Sequence, residues 1–394
     1  MIQVENEKDC CGCAACAAAC PKQCIKMEQG TLGHLFPKVN AELCVDCGIC
    51  QKMCPMQKEL PQVEQQKAYA AYTKDQQLRF DSSSGGMFAT FARHLMKQGY
   101  VVYGAAFDEN LQLQCTLAEN ENELKPLMKS KYLQSNIGSK YSEIRAKLEQ
   151  GQKVLLVSTP CQIAALKQYL KKEYSNLITV DFFCHGVPSQ SFFEECLSYD
   201  EAIKYKGKVL SYEFRTKKKN GSTPHYYTVG YQKEEKSKSK TDYYFDSTFY
   251  AFFQTYICLR ESCYQCKFGG QKRVSDITMG DFHDIDRYMS GINRFDGVST
   301  VIVNTQKGRE IFAACAEDLI FYEMNIEELT RNDSCLSGGT PRPAGRDEFL
   351  QDYNKMHISA LAKKYVSPKR YRKMRLYYGL PRIMRNLIKK YCGE

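Results

Sequence analysis

Apolar and polar positions in the middle of this chain alternate in a way that predicts short strands separated by amphipathic helices. Tyr69-Ala70-Ala71-Tyr72 reads as a strand, and Met87, Phe88, Phe91 and Leu95 then share one helical face. Gly99 stops that helix before an apolar strand over 100–107. Helices over 139–149 and from Pro160 (with Ile163, Leu166 and Leu170 on one face) alternate with strands over 154–157 and 177–183, and a further helix follows over 189–197. Such alternation predicts a mainly parallel sheet covered on both faces, with ligands off the carboxyl ends of its strands. From 205 to 246 the period shortens to that of a hairpin, 209–214 and 226–231 about Asn220-Gly221, and the Lys, Glu and Ser run at 233–240 reads as a mobile loop. An aromatic amphipathic helix leads to Cys258, and a strand over 298–303 and a helix over 308–319 complete the pattern.

The first 55 residues break this pattern and hold ten of the 20 cysteines. Cys10, Cys13, Cys16 and Cys20-Pro21 repeat the spacing of Cys44, Cys47, Cys50 and Cys54-Pro55. Each run is the bacterial ferredoxin signature for a [4Fe-4S] cluster, in which the fourth cysteine serves the other cluster. Cys10, Cys13, Cys16 and Cys54 are therefore assigned to one cluster, and Cys44, Cys47, Cys50 and Cys20 to the other. Cys11 and Cys24 fall outside the spacing and read as packing residues. A zinc site needs only four ligands, and a disulfide framework belongs to small secreted chains. The fold class is α/β: a ferredoxin-like α+β domain over 1–60, a polar linker with Pro61, an α/β domain over 67–335 with an added hairpin region, and a basic, partly helical tail over 336–394.

Charge changes the picture at one end only. The net charge is +10, yet residues 353–393 carry 12 Lys/Arg and no Asp/Glu, so the rest is close to neutral. This argues against a nucleic-acid binder, whose charge lies on a folded face among aromatics. Apolar residues 383, 384, 387, 388 and 391 fall on one helical face flanked by basic ones. That face either packs on its own domain or makes a peripheral contact with an anionic membrane surface. No apolar run approaches the roughly 20 residues of a spanning helix, and no export signal is visible, so the expected location is cytoplasmic.

Four further pieces carry chemistry. Ser82-Ser83-Ser84-Gly85-Gly86 enters a helix, where close backbone approach and a helix N-terminus suit anions. Ser158-Thr159-Pro160-Cys161-Gln162 and Cys184-His185-Gly186 lie at the ends of two predicted strands. Cys258, Cys263 and Cys266 lie within nine residues and need a fourth ligand, Cys161 or Cys184, with Cys184 preferred. A third [4Fe-4S] cluster is the simplest occupant and zinc the alternative. His185 is either a ligand or a hydrogen-bond donor to a cofactor.

In this order and spacing the four pieces resemble the beta-subunit family of coenzyme F420 hydrogenases and dehydrogenases, from about Lys67 to about Asn332, with a two-cluster ferredoxin fused in front. The resemblance implies FAD near Ser83, Ser84, Gly85 and Gly86 and near Lys131 and Tyr132 of the 129–135 segment. It also implies a cofactor-binding role for Thr159, Pro160, Gln162 and His185, with a [4Fe-4S] cluster beside the flavin. Two positions depart from the family pattern: Ser158 replaces a usual Gly, and His283-Asp284 replace Trp-Gly. Similar chains occur in bacteria beside polysaccharide-assembly genes. The function expected is an iron–sulfur flavoprotein oxidoreductase exchanging electrons with a redox protein or small-molecule carrier; the alternative is an electron-carrier subunit with no substrate site.

Overall fold

The computed structural model describes residues 1–58, 66–219, 225–271, 273–282, 285–288, 292, 296–332, 334–366, 368–380 and 384. The Asn220-Gly221 turn, His283-Asp284 and most of the apolar stripe at 383–391 lie outside these residues.

Within the first 58 residues, β1 (Ile25–Gln29) and β2 (Leu35–Val39) form an antiparallel hairpin between the two cysteine runs. The central sheet has eight strands: β3 (Lys67–Thr73), β4 (Tyr100–Phe107), β5 (Leu113–Ala118), β6 (Lys153–Val157), β7 (Leu177–Phe182), β11 (Ile277–Asp281), β12 (Ser299–Val303) and β13 (Leu319–Met324). Their order is β13-β3-β12-β11-β7-β6-β4-β5. The four central strands β11, β7, β6 and β4 are parallel, whereas every pairing outside them is antiparallel. The sheet is thus mixed around a parallel centre. Alternate residues of the buried strands feed two cores, as the strand period of two requires. Val154 and Leu156 of β6 pack with Ile163 and Leu166 on one face, and Leu155 packs with Phe91 and Leu95 on the other.

A separate antiparallel sheet joins β8 (Lys208–Thr216), β9 (Tyr226–Lys233) and β10 (Lys236–Tyr243). The stretch expected to be a mobile loop is largely β10, an edge strand. A two-residue turn with Glu234 in the left-handed region (φ 56°) sets it against β9. Its Ser and Lys side chains leave no apolar alternation because the strand is mostly exposed; edge lysines of this kind also discourage pairing with another chain.

The third core is aromatic. Phe193, from the helix Gln190–Asp200, packs edge-on against Tyr212 of β8 at 5.3 Å and Phe249 at 5.0 Å. Residues expected to be tail enter this core: Phe349, Ile358 and Leu361 are buried in it. The basic helix Pro368–Gly379 follows, and its Tyr371 and Tyr378 stack on Phe245 and Tyr243 at 5.3 and 5.8 Å. Among the described residues, no helix is long and apolar enough to cross a membrane.

Phe193 joins three elements, so Phe193→Ala should destabilise the protein by about 3–5 kcal/mol. Denaturant midpoints of the purified protein should fall accordingly.

Candidate functional site

The two front cysteine runs fold alike. Gly12 and Asp46 are both left-handed (φ 65° and 46°), as are Ala14 and Gly48 (φ 61° and 70°). Each run thus turns sharply before a one-turn helix, Ala15–Ala18 or Ile49–Lys52. A cavity of about 430 Å³ is lined by Cys10, Cys13, Cys16 and Cys54, among others. A second, smaller one is lined by Cys20, Cys44, Cys47 and Cys50. Each cavity therefore draws one cysteine from the opposite run. Cys24 lies beside Cys20, with the sulfurs 3.4 Å apart. Burial pushes the Cys16 thiol up to about 12, so it is neutral until a metal displaces its proton. Among the described residues no three His, Cys, Asp or Glu side chains are drawn tightly enough around a point to hold a single ion. The front thiols surround volumes instead.

A further group of thiols lies where the central strands end. Cys161 is in the first turn of the helix Pro160–Leu170, after β6, and Cys184 follows β7. Cys263 lies within the short turn Glu261–Gln265 and Cys266 just after it. Burial raises the Cys184 thiol well above its usual range, and Cys263, Cys161 and Cys266 raise it further as neighbouring charges. Gly186 (φ 106°) permits this approach, since a Cβ there would meet the Cys263 side chain.

Cys258, expected from sequence to join these thiols, lies apart from them. It is fully buried in the aromatic core, and the charged side chain that acts on its thiol is Arg346 rather than another cysteine. Arg346 donates to the carbonyls of Ile257 and Leu259, and these bonds hold the segment against the core. Cys161 stands with Cys184, Cys263 and Cys266 instead, so the two candidates for one position are both present.

The Ser-Gly turn reaches the same side of the sheet. Thr73 N donates to Gly85 O at 2.8 Å, and Ser84 Oγ donates to Val298 O at 2.8 Å. Ser130 N donates to Ser83 Oγ at 2.8 Å and ties this turn to the segment with Lys131 and Tyr132. Residues not singled out from sequence complete the surroundings. Arg215 donates to Asp281 Oδ2 at 2.7 Å, Tyr132 OH at 3.1 Å and Ser83 O at 3.0 Å. Lys217 Nζ donates to Arg79 O at 2.5 Å, Ser84 O at 2.7 Å and Asp296 O at 2.8 Å. Burial holds both Lys131 and Lys217 down at about 7, and for Lys217 the Arg215 and Arg79 guanidinium groups add to the effect. Arg215 near the end of β8 and Lys217 just beyond it are single basic residues that carry no motif, so no sequence signal identified them.

The other expected cofactor contacts lie elsewhere. Gln162 is buried, accepts from Ser158 Oγ and donates to Ser135 O at 2.8 Å. Thr159 Oγ1 and Cys161 Sγ are 3.3 Å apart, and Pro160 is the first residue of that helix. His185 Nδ1 lies 3.2 Å from Cys335 Sγ, and its ring stacks on Tyr256 at 5.8 Å. Thr159 and Gln162 thus support the Cys161 loop, and His185 stands beside Cys184.

The front segment is pinned to the body by buried polar contacts. Gln134 Nε2 donates to Cys11 O at 2.8 Å, Tyr141 OH to Cys13 O at 2.9 Å, and Ser189 Oγ to Leu32 O. A Cβ on Gly12 would meet the Arg260 guanidinium and Gln134. Gly12→Ala should therefore cost about 1–2 kcal/mol in left-handed backbone strain and also loosen this contact. Hydrogen exchange at residues 10–18 should accelerate, while the central sheet keeps its protection.

Comparisons relate parts of this chain to known proteins. Residues 151–328 match the family model for the C-terminal part of the beta subunit of coenzyme F420 hydrogenase/dehydrogenase. A ferredoxin from Saccharopolyspora erythraea is 36% identical over 74 residues, or 18% of this chain; the chain spans 65% of that ferredoxin's length. Among solved structures, a chain of the xenon-derivatised F420-reducing [NiFe] hydrogenase complex from Methanosarcina barkeri aligns with a TM-score of 0.44 at 18% identity. That alignment covers 77% of this chain and 92% of that one. What this chain shares with the coenzyme F420 hydrogenase/dehydrogenase beta subunits is thus a similarity over residues 151–328.

Proposed function

We propose that this protein is an iron–sulfur flavoprotein oxidoreductase that holds three [4Fe-4S] clusters and FAD within one chain. The carrying observation is the sorting of eight front cysteines into two sets of four around separate cavities. On this reading Cys10, Cys13, Cys16 and Cys54 hold the inner front cluster. Cys20, Cys44, Cys47 and Cys50 hold the outer one, whose Cys47 is exposed. Cys161, Cys184, Cys263 and Cys266 hold the third. FAD takes its place against the Ser83–Gly86 turn. The donor set there suits a diphosphate, because Arg79, Arg215, Lys129, Lys131 and Lys217 outnumber Glu213, Asp281 and Asp296. When bound, the clusters supply one-electron steps and the flavin one- or two-electron steps.

The chain's own work is to bind, orient and exclude water. Arg215 holds Tyr132 and the Ser83 carbonyl in a fixed relation, so the two flavin segments form one wall. Gln162 fixes the loop bearing Cys161 to Ser135, next to Gln134. Exposed Cys47 marks the face where a redox partner protein or small carrier would exchange electrons.

Cysteine replacement separates the third site from a packing role. Cys161→Ala or Cys184→Ala should each lower bound iron by about four atoms, whereas Cys258→Ala should keep all iron and lose only packing stability. Iron lost with Cys258→Ala but not Cys161→Ala would reverse the assignment.

Flavin binding should respond to charge and pH. Lys217→Met and Arg215→Gln should lose FAD and keep iron. Lys131 and Lys217 lose their positive charge as pH rises through about 7, so FAD affinity should fall from about pH 6 to about pH 8. Ultrafiltration with absorbance of the released flavin measures both effects; an unchanged flavin ratio in both variants would place FAD elsewhere.

A further inference from the structure

Arg260 is buried to 1% exposure, and its hydrogen-bond partners are a side-chain amide and main-chain carbonyls, none of them anionic. Nε donates to Gln134 Oε1 at 3.0 Å, Nη1 to Cys10 O at 3.3 Å and Nη2 to Leu35 O at 2.9 Å. The guanidinium also lies over the Phe36 ring, 4.7 Å from its centroid. The main chain of the same residue builds the other site: Cys263 N donates to Arg260 O at 3.0 Å, and Arg260 N donates to Val187 O at 2.9 Å. One residue therefore has its backbone in the loop of Cys263 and its charge in the loop of Cys10. Burying a cation without an anionic partner is costly, by several kcal/mol in real proteins. Something in the working protein offsets that cost, and the fork of five donors is not what two carbonyls and an amide alone require.

We propose that Arg260 is a positioning residue for electron transfer between the inner front cluster and the third cluster, its fixed charge favouring the reduced state of both. The proposal rests on the cluster assignments given above. A cluster ligated by four thiolates is anionic, and adding an electron makes it more so. A guanidinium held between two such groups in a low-dielectric interior lowers the cost of placing that electron on either. The outer front cluster, at Cys20, Cys44, Cys47 and Cys50, shares none of the Arg260 hydrogen bonds. Removal of the charge should therefore affect two clusters out of three. Gln134 reinforces the geometry, since it accepts from Arg260 and donates to Cys11 O.

The test is a redox titration followed by paramagnetic resonance, with iron analysis, on anaerobically purified full-length protein. Arg260→Gln should shift the one-electron reduction equilibrium of the two inner clusters about tenfold toward the oxidised form, about 59 mV, and leave the outer cluster unmoved. Arg260→Lys keeps the charge and should stay near the wild type. Equal shifts in all three clusters, no shift in either inner one, or a lysine variant displaced as far as the glutamine variant would overturn the proposal. If Arg260→Gln loses iron, Arg260→Lys decides alone: inner clusters at wild-type potential support the role, and a tenfold shift overturns it. A wild type with about eight irons rather than twelve would remove the third cluster, while the inner front cluster would still report on Arg260.

Discussion

The central strands β4, β6, β7 and β11 run in one direction, so the loops at their carboxyl ends must share one side of the sheet. That geometric constraint places Cys161 after β6 beside Cys184 after β7, and brings Asp281 at the end of β11 within reach of Arg215. β3 runs alongside through antiparallel β12, so its following Ser-Gly turn arrives on the same side. The ferredoxin-like front then docks onto that side through Gln134, Tyr141 and Arg260. Parallel strands ending together are what allow separated segments to meet, as in other open α/β sheets.

Burial governs the chemistry of this region in two opposite ways. It raises the thiols of Cys184 and Cys263, which therefore need a metal's charge before they serve as thiolates. It lowers Lys131 and Lys217, which therefore need an anion to hold their protons above neutral pH. Each group is disfavoured alone and satisfied by a ligand of opposite sign. The two kinds are kept apart, thiols toward the front and amines by the Ser-Gly turn.

Motifs with fixed local spacing were legible in the sequence because their physics is local. The two four-cysteine runs turn on left-handed positions two residues apart, and their spacing showed it. The alternation of 154–157 and 177–183 with helices gave the parallel centre. What escaped was set by distant contacts. The place of Cys258 in the aromatic core depends on Arg346, nearly ninety residues on, which donates to the Ile257 and Leu259 carbonyls. β10 was hidden because an exposed edge strand needs no apolar alternation. The buried Phe349 and Leu361 were masked by the basic residues that follow them, so a core segment read as part of a tail. Arg215, Lys217 and Arg260 are single residues whose role depends on what they approach, and no spacing rule marks them.

The central claim is that one chain carries electrons through three clusters to a two-electron centre. An anaerobic reductive titration of the intact, cofactor-replete protein, counting equivalents against absorbance and iron, tests it most directly. Three clusters of one electron each and a flavin of two predict about five electrons and about twelve irons per chain. Uptake of about two electrons with about eight irons, and no flavin bleaching, would contradict the account and leave a two-cluster carrier.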